Sequence, residues 1–219
     1  MAFSVVVLAA GKGTRMKSAL PKVLHPVGGV AMVQRIINTA ESLTATAVHL
    51  VYGHGADQLQ ANVSGQQINW CLQAEQLGTG HAVMQTVEHI RDEEDVMILV
   101  GDAPLIKADT LQRLIDVKAS CDLALLTVNL DDPTGMGRII RNDDNIVAIV
   151  EHKDATEAQR AITEINTGMM MMPGKDLKRW LSELNNDNAQ GEYYLTDVIA
   201  MAANEGKVIK AAQPDSPLE

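Results

Sequence analysis

This 219-residue chain has only two cysteines, and it lacks an apolar stretch of membrane length and any excess of positive charge. Cys71 and Cys121 lie far apart, in no metal-ligand spacing, within the apolar runs Trp70-Cys71-Leu72 and Cys121-Asp122-Leu123. Both read as buried free thiols, which excludes a disulfide framework and suits a reducing cytoplasm. No apolar run approaches the roughly 18 residues of a membrane-spanning helix. The opening one is too short for a signal peptide and runs straight into a glycine loop. The net charge of −10 excludes a broad nucleic-acid or membrane surface, though not one cationic pocket. Internal repeats and low-complexity linkers are missing too. These absences lead to the expectation of a soluble cytoplasmic protein.

What is present is alternation. Strand patterns cover 3–8, 47–52, 69–72, 96–100 and 123–130, and helical spacing covers 31–43, 56–63, 78–90 and 108–118. Continuously apolar strands alternating with helices predict a parallel sheet covered on both faces. The texture changes beyond Asp131. Strands over 138–141 and 146–151 flank the turn Asn142-Asp143-Asp144-Asn145. They precede a short helix over 155–161, a strand over 166–172, helices over 175–184 and 194–204, and a last strand over 207–211. No linker separates this mixed α+β half from the first. We therefore expect one domain over 1–219, built of a first half at residues 1–130 and a second at residues 131–219. At this length folding buries roughly 70–75% of the unfolded surface. The four methionines 169–172 read as core, because neighbours on a strand point to opposite faces.

Parallel sheets bind ligands beyond the carboxyl ends of their strands, and the unusual sequences sit there. The first is Leu8-Ala9-Ala10-Gly11-Lys12-Gly13-Thr14-Arg15-Met16. It is not G-x-G-x-x-G, since Met16 stands where the third glycine belongs, and it lacks the spacing of a P-loop. It reads as a bland tight turn or as a loop for a triphosphate or pyrophosphate, ringed by backbone N–H groups and neutralised by Lys12, Arg15 and Lys22. Asp102 ends an apolar strand, where an ionised carboxylate needs donors or a cation. It is a candidate Mg²⁺ ligand or a helix N-cap, and Ala103-Pro104-Leu105 postpones the next helix. The six histidines form no obvious metal set. His54, between two glycines, is the one expected near the pocket, as a cap or a contact.

Taken together, L-A-A-G-K-G-T-R-M with Pro21-Lys22, then Gln73-Ala74-Glu75-Gln76-Leu77-Gly78-Thr79-Gly80-His81-Ala82 and Gly101-Asp102, resembles the sugar-1-phosphate nucleotidyltransferases. Glu151-His152-Lys153-Asp154-Ala155, Glu164-Ile165-Asn166-Thr167-Gly168 and Asn188-Ala189-Gln190-Gly191-Glu192-Tyr193-Tyr194-Leu195-Thr196-Asp197 narrow it. They are similar to the uridyltransferase half of the bacterial bifunctional N-acetylglucosamine-1-phosphate uridyltransferase/glucosamine-1-phosphate acetyltransferases. The resemblance runs from about Ser4 to about Ala212.

It implies a Rossmann-like α/β fold of the nucleotide-diphospho-sugar transferase type, with 1–130 serving the nucleotide and 131–219 the sugar. It also implies transfer of UMP from UTP to N-acetylglucosamine 1-phosphate with Mg²⁺, in bacterial cell-wall precursor synthesis. Leu8, Ala9, Ala10, Gly11, Gly13 and Thr14 would form the nucleotide loop. Arg15 and Lys22 would hold the phosphates and carry catalysis, and Asp102 would ligate Mg²⁺. Gln73 would pair with the uracil edge as donor and acceptor, with Gln76, Gly78, Thr79 and Gly101 around the nucleotide. Gly137, Glu151, Asn166, Tyr194 and Thr196 would surround the sugar phosphate. Singly, Gln73 and Asn166 also read as solvated or capping residues, Glu151 as surface charge and Tyr194 as a packed aromatic.

Departures from the family pattern are Val100 before Gly101-Asp102 and Met136 before Gly137, where aromatics are common. The family's second metal ligand, an Asn in V-E-G-x-N-N, and its acetyltransferase are expected to be absent from residues 1–219; a trimer is expected only with that acetyltransferase, and the oligomeric state is left open. A weakly active nucleotide-sugar-binding fragment, a transferase for another sugar 1-phosphate and a dinucleotide oxidoreductase remain alternatives. The last lacks both the third glycine and an acidic residue after Tyr52.

Overall fold

The opening apolar run becomes strand β1 (Phe3–Leu8), and its alternation builds two cores at once. Val5 and Val7 join a cluster with Val33, Ile36, Leu111 and Leu114, while Val6 faces Val83, Leu177, Trp180 and Val198. These partners come from α1 (Met32–Ser42) and α4 (Ala108–Lys118) on one face of the sheet. On the other they come from α3 (Thr79–Met84), α6 (Gly174–Glu183) and α7 (Asp197–Asn204). The computed structural model describes residues 2–11, 13, 16–53 and 55–219.

The main sheet runs in the order β11 (Ile209–Ala212), β7 (Leu123–Asn129), β10 (Glu164–Pro173), β6 (Asp95–Val100), β1, β4 (Val48–Tyr52), β5 (Ile68–Leu72). Along this path only β10 runs against its neighbours; the other contacts are parallel. The hairpin of β8 (Arg138–Asn142) and β9 (Asn145–Val150) branches off through the pair Ile165–Arg138. Two short helices, α2 (Ala56–Asn62) and α5 (Glu157–Arg160), follow β4 and β9 in the chain. The fold is therefore the expected mostly parallel α/β sheet, and β10 links its two halves. Met170 and Met172 enter one core and Met169 and Met171 the other, all with at most 2% exposure. Among the described residues no helix is long and apolar enough to cross a membrane.

Three local expectations change. The helix expected over 78–90 is α3 only to Met84, after which N–H groups bond three residues back, as from Thr86 to Val83 and His89 to Thr86. Thr86 Oγ1 also donates to the Val83 carbonyl at 2.7 Å. A hydroxyl competing for the helical acceptor in this way disfavours continuation. Next, β2 (Pro26–Val27) and β3 (Val30–Ala31) form a hairpin absent from the sequence reading. Gly28 and Gly29, at φ 59° and 82°, make the tight turn that suits twisted strands. Finally, Cys71 is buried as expected, and burial pushes its thiol up to about 11, but Cys121 is only half-buried at the end of α4. Both are free thiols.

Candidate active site

A cavity of about 710 Å³ opens beyond the carboxyl edge of the sheet. Leu8, Ala9, Ala10, Gly11 and Gly13 form one wall; Gln73, Gln76, Gly78 and Thr79 form another; Lys22, Val100 and Asp102 close it. Gln73 follows β5 and Asp102 follows β6, with β4 and β1 between them. Three strand spacings set these residues about 14 Å apart across the sheet. That span fits a nucleotide laid from base to phosphates along the sheet edge.

In the wall that follows β5, Gln73 is 3% exposed. Its Nε2 donates to the Gly78 carbonyl oxygen at 3.1 Å and lies 3.1 Å from His81 Nδ1. A carbonyl can only accept, so it fixes which end of the amide faces it. Among the described residues no donor reaches Gln73 Oε1, so the amide keeps its acceptor for a ligand while its donors are committed. Both roles were expected of this amide; with its NH₂ group engaged, the oxygen is the part left open. Gln76 Nε2 donates to the Gln73 carbonyl at 3.1 Å.

The loop that carries Gly78 is clipped to the chain at 193–195. Tyr193 N–H donates to Leu77 O and Gly80 N–H to Tyr193 O, each at 2.8 Å, and Leu195 N–H donates to Thr79 Oγ1 at 3.1 Å. Gly78 has φ 110° and ψ 175°, a region essentially reserved for glycine. A Cβ there would lie 2.6 Å from Tyr193 O and 2.9 Å from Glu192 Cβ. The glycine is thus required by the neighbouring backbone as well as by any approach of a base. This contact also explains why Glu192 lines the cavity, a position the sequence reading quoted in a motif but assigned no role. Met16, Val23 and Ala82 complete the lining without having been singled out.

At the other end of the cavity Lys22 Nζ pairs with Asp102 Oδ2 at 2.5 Å, and both side chains are partly exposed. Lys22 stands in a 3-10 turn, Lys22–Leu24, entered through Pro21. Gly13, at φ 56°, packs so tightly on it that a Cβ would come 2.6 Å from Lys22 Cβ. Gly101 is buried behind this corner, its N–H on Leu8 O at 2.9 Å. Asp102 is not a helix cap, since α4 starts six residues later with Lys107 at its N-cap. Thr14, Arg15, Lys12 and His54 lie outside the described residues. No group of three or more His, Cys, Asp or Glu able to hold a metal occurs among the described residues. One partly exposed carboxylate at the cavity wall nevertheless fits Mg²⁺, which takes one or two carboxylates and fills its shell with phosphate oxygens and water.

The residues expected at the sugar meet one another through β8, β10 and the segment at 194–196, but none of them lines the cavity. Asn166 N–H donates to Gly137 O at 2.9 Å, and a Cβ on Gly137 would lie 3.4 Å from Glu151 Oε1. Pairing of β10 with β7 jumps from Asn166–Thr127 to Met170–Leu125, so Thr167, Gly168 and Met169 bulge opposite Leu126. Such bulges re-aim side chains beside functional sites. The bulge is pinned by Thr167 Oγ1 on Leu126 O at 2.7 Å and by Gly168 N–H on Asn166 Oδ1 at 3.1 Å. With that oxygen engaged, Asn166 keeps its NH₂ donors for a ligand. Glu151 Oε1 accepts from Thr196 Oγ1 at 3.0 Å, and burial raises its carboxyl above the usual range. Tyr194 donates to Asp154 Oδ2 at 3.1 Å, and burial pushes its phenol up to about 12. Tyr194 and Thr196 are both buried, and their hydroxyls orient the carboxylates of Asp154 and Glu151. A second cavity of about 270 Å³ adjoins the first through Val100 and Asp102 and is lined by Met136, Ile165 and Thr167.

A mostly parallel sheet with a cavity beyond its carboxyl edge is the architecture of a nucleotide-handling α/β domain. The chain belongs to the MobA-like NTP transferase domain family, whose model matches residues 5–168. Over all 219 residues it is 71% identical to the bifunctional protein GlmU of Pseudoalteromonas atlantica (strain T6c / ATCC BAA-1087) and spans 48% of that protein. The chain thus covers about half the length of this relative. In structure it is similar to apo UDP-glucose pyrophosphorylase, with a TM-score of 0.80 over 97% of this chain and 90% of that one, at 17% identity. It is also similar to HddC from Yersinia pseudotuberculosis complexed with GMP-PN, with a TM-score of 0.66 over 98% and 91%, at 21% identity. At such identities the likeness concerns the fold alone.

Proposed function

We propose that the chain transfers UMP from UTP to N-acetylglucosamine 1-phosphate in the bacterial cytoplasm, releasing pyrophosphate and UDP-N-acetylglucosamine. The observation that carries this reading is a single cavity with an acceptor-only amide, Gln73, in one wall and the Lys22–Asp102 pair in another. Uracil presents an N3–H donor, which that amide accepts; the triphosphate then runs along Gly11 and Gly13 toward Lys22. The 71% identity to a bifunctional GlmU supports the choice of sugar. Residues 1–130 serve the nucleotide and 131–219 the sugar phosphate, with Glu151 accepting from hydroxyls and the Asn166 NH₂ group donating.

No protein nucleophile is required. An anionic oxygen of the sugar 1-phosphate attacks the α-phosphorus in line, forming the new P–O bond as the bond to the β-phosphate oxygen breaks and pyrophosphate departs with the electron pair. Catalysis is positioning and charge neutralisation. Lys22 supplies one cation, and Arg15, outside the described residues, is assigned the second from its place in the loop. Asp102 would hold Mg²⁺, which supplies further charge neutralisation at the phosphates when bound. Lys22 shares its charge with Asp102 before substrate arrives and turns it to the phosphates afterwards. The assay is incubation of the protein with Mg²⁺, UTP and a panel of sugar 1-phosphates, with products resolved by anion-exchange chromatography. UDP-N-acetylglucosamine as the dominant product supports the reading. Preference for another sugar 1-phosphate, or binding without product, refutes it.

A further inference from the structure

We propose that His81 is a positioning residue for base selection, acting through Gln73 without touching the nucleotide. The inference rests on the uridyl reading above and assigns the origin of its specificity. Gln73 Nε2 is held at two points, the Gly78 carbonyl oxygen and His81 Nδ1, both at 3.1 Å. The first contact alone leaves the amide one hydrogen without an acceptor; the second uses it. Nδ1 accepts only when it carries the lone pair, so the His81 proton sits on Nε2.

A second amide competes for the ring. Gln85 Nε2 donates to the His81 carbonyl oxygen at 2.9 Å and lies 3.3 Å from His81 Nε2. A neutral imidazole has one lone pair, and the shorter contact to the buried Gln73 takes it. The ring is kept in place by the face of Tyr193, tilted 33° at 6.3 Å between centroids, and Tyr193 belongs to the segment clipped to Gly78. The same backbone clip therefore fixes both anchors of the Gln73 amide. With both anchors in place, Oε1 is the only function left for the base. It accepts from the N3–H of uracil and meets a lone pair on N3 of cytosine. Removal of the Nδ1 anchor leaves the Gly78 carbonyl as the one remaining hold on the amide, so the amide sways about that contact, which weakens uracil binding and lessens the penalty for cytosine.

Isothermal titration of UTP and of CTP, with Mg²⁺ and no sugar phosphate, tests this on the full chain and its His81 variants. His81→Leu should weaken UTP binding roughly three- to tenfold, the worth of one neutral hydrogen bond, and leave CTP nearly unchanged. His81→Asn places its carbonyl oxygen near the Nδ1 position and should restore the UTP/CTP ratio to within about twofold of the wild type. His81→Gln, whose acceptor reaches the Nε2 position, should not. In turnover the loss should appear in the KM for UTP, with little change in kcat. A His81→Leu protein that keeps the wild-type ratio overturns the inference, as does an asparagine variant no better than glutamine. If the leucine variant does not fold, the asparagine–glutamine comparison decides alone. A wild-type protein without preference for UTP refutes the uridyl reading itself and is visible before any variant is made.

Discussion

Gly78→Ala is a substitution from which the structure predicts a large effect for one added methyl. The new Cβ would lie 2.6 Å from Tyr193 O and 2.9 Å from both Tyr193 N and Glu192 Cβ. Two of these contacts are with backbone, so a rotamer change cannot relieve them. The φ of 110° adds a conformational cost of about 1–3 kcal/mol. Relief requires the segment at 193–195 to move, which strains three hydrogen bonds to 77–80, each worth roughly 0.5–1.5 kcal/mol. Adding strain to the loss of one or two such bonds gives about 2–5 kcal/mol. For a chain of this size that is a Tm drop of roughly 5–15 °C. Gly11→Ala is the matched control, because a Cβ there meets nothing within 4 Å and the backbone is not left-handed. Its stability should stay within about 0.5 kcal/mol of the wild type. Urea unfolding of both variants, read by far-UV circular dichroism with linear extrapolation, makes the comparison. A Gly78→Ala protein as stable as Gly11→Ala would show that the clip between 77–80 and 193–195 does not hold the cavity wall.

Burial holds His49 near 4 instead of the ordinary 6.5, so its contribution to stability is complete above 6.5 and is lost as pH falls through 4. That loss amounts to about 3 kcal/mol. Urea titrations from pH 7 to 4 should show it in the wild type and a flatter profile in His49→Leu; parallel profiles would refute the assignment. Because burial raises the Glu151 carboxyl, stability falls as pH rises from the ordinary carboxylate value, and the loss is complete above the raised folded value. Glu151→Gln should therefore hold or raise stability at pH 8 while increasing the KM for sugar phosphate at least roughly tenfold, as expected for loss of a charged hydrogen bond; an unchanged KM would remove Glu151 from the site. Met171→Ala, fully buried between the sheet and its helices, should cost about 2–5 kcal/mol in urea unfolding; a cost below about 1 kcal/mol would mean that this face repacks freely.

The sheet was legible because its strands are apolar on both faces, and that signal survives without any tertiary information. The methionine run is the clearest example: four adjacent residues of one kind fit a strand only if both faces are core. What was illegible depended on which side-chain hydrogen bonds form, within one turn at Thr86 and between strands at Thr167. The end of α3 at Met84 is set by the Thr86 hydroxyl, and the bulge at 167–169 by Thr167 and Asn166. The hairpin at Gly28-Gly29 did carry a local signal, two glycines between short apolar pairs, overshadowed by the loop before it. In the site, motifs brought Gln73, Lys22 and Asp102 to one cavity, but no motif could say which end of an amide faces the ligand. That depends on the carbonyl of Gly78 and the ring of His81, which meet the amide only once the loop has folded back. Tyr194 and Thr196 illustrate the same limit, since burial places their hydroxyls on carboxylates.

Exchange of labelled pyrophosphate into UTP is the most direct measurement of the central claim, that this cavity transfers a uridylyl group between two phosphates. The protein is incubated with UDP-N-acetylglucosamine, Mg²⁺ and radiolabelled pyrophosphate, and UTP is isolated. The account predicts label in UTP that depends on N-acetylglucosamine as the sugar and falls at least roughly a hundredfold in Lys22→Ala or Asp102→Asn, the scale of losing one transition-state charge contact. Absence of label from the wild type, or undiminished exchange in both variants, would contradict it.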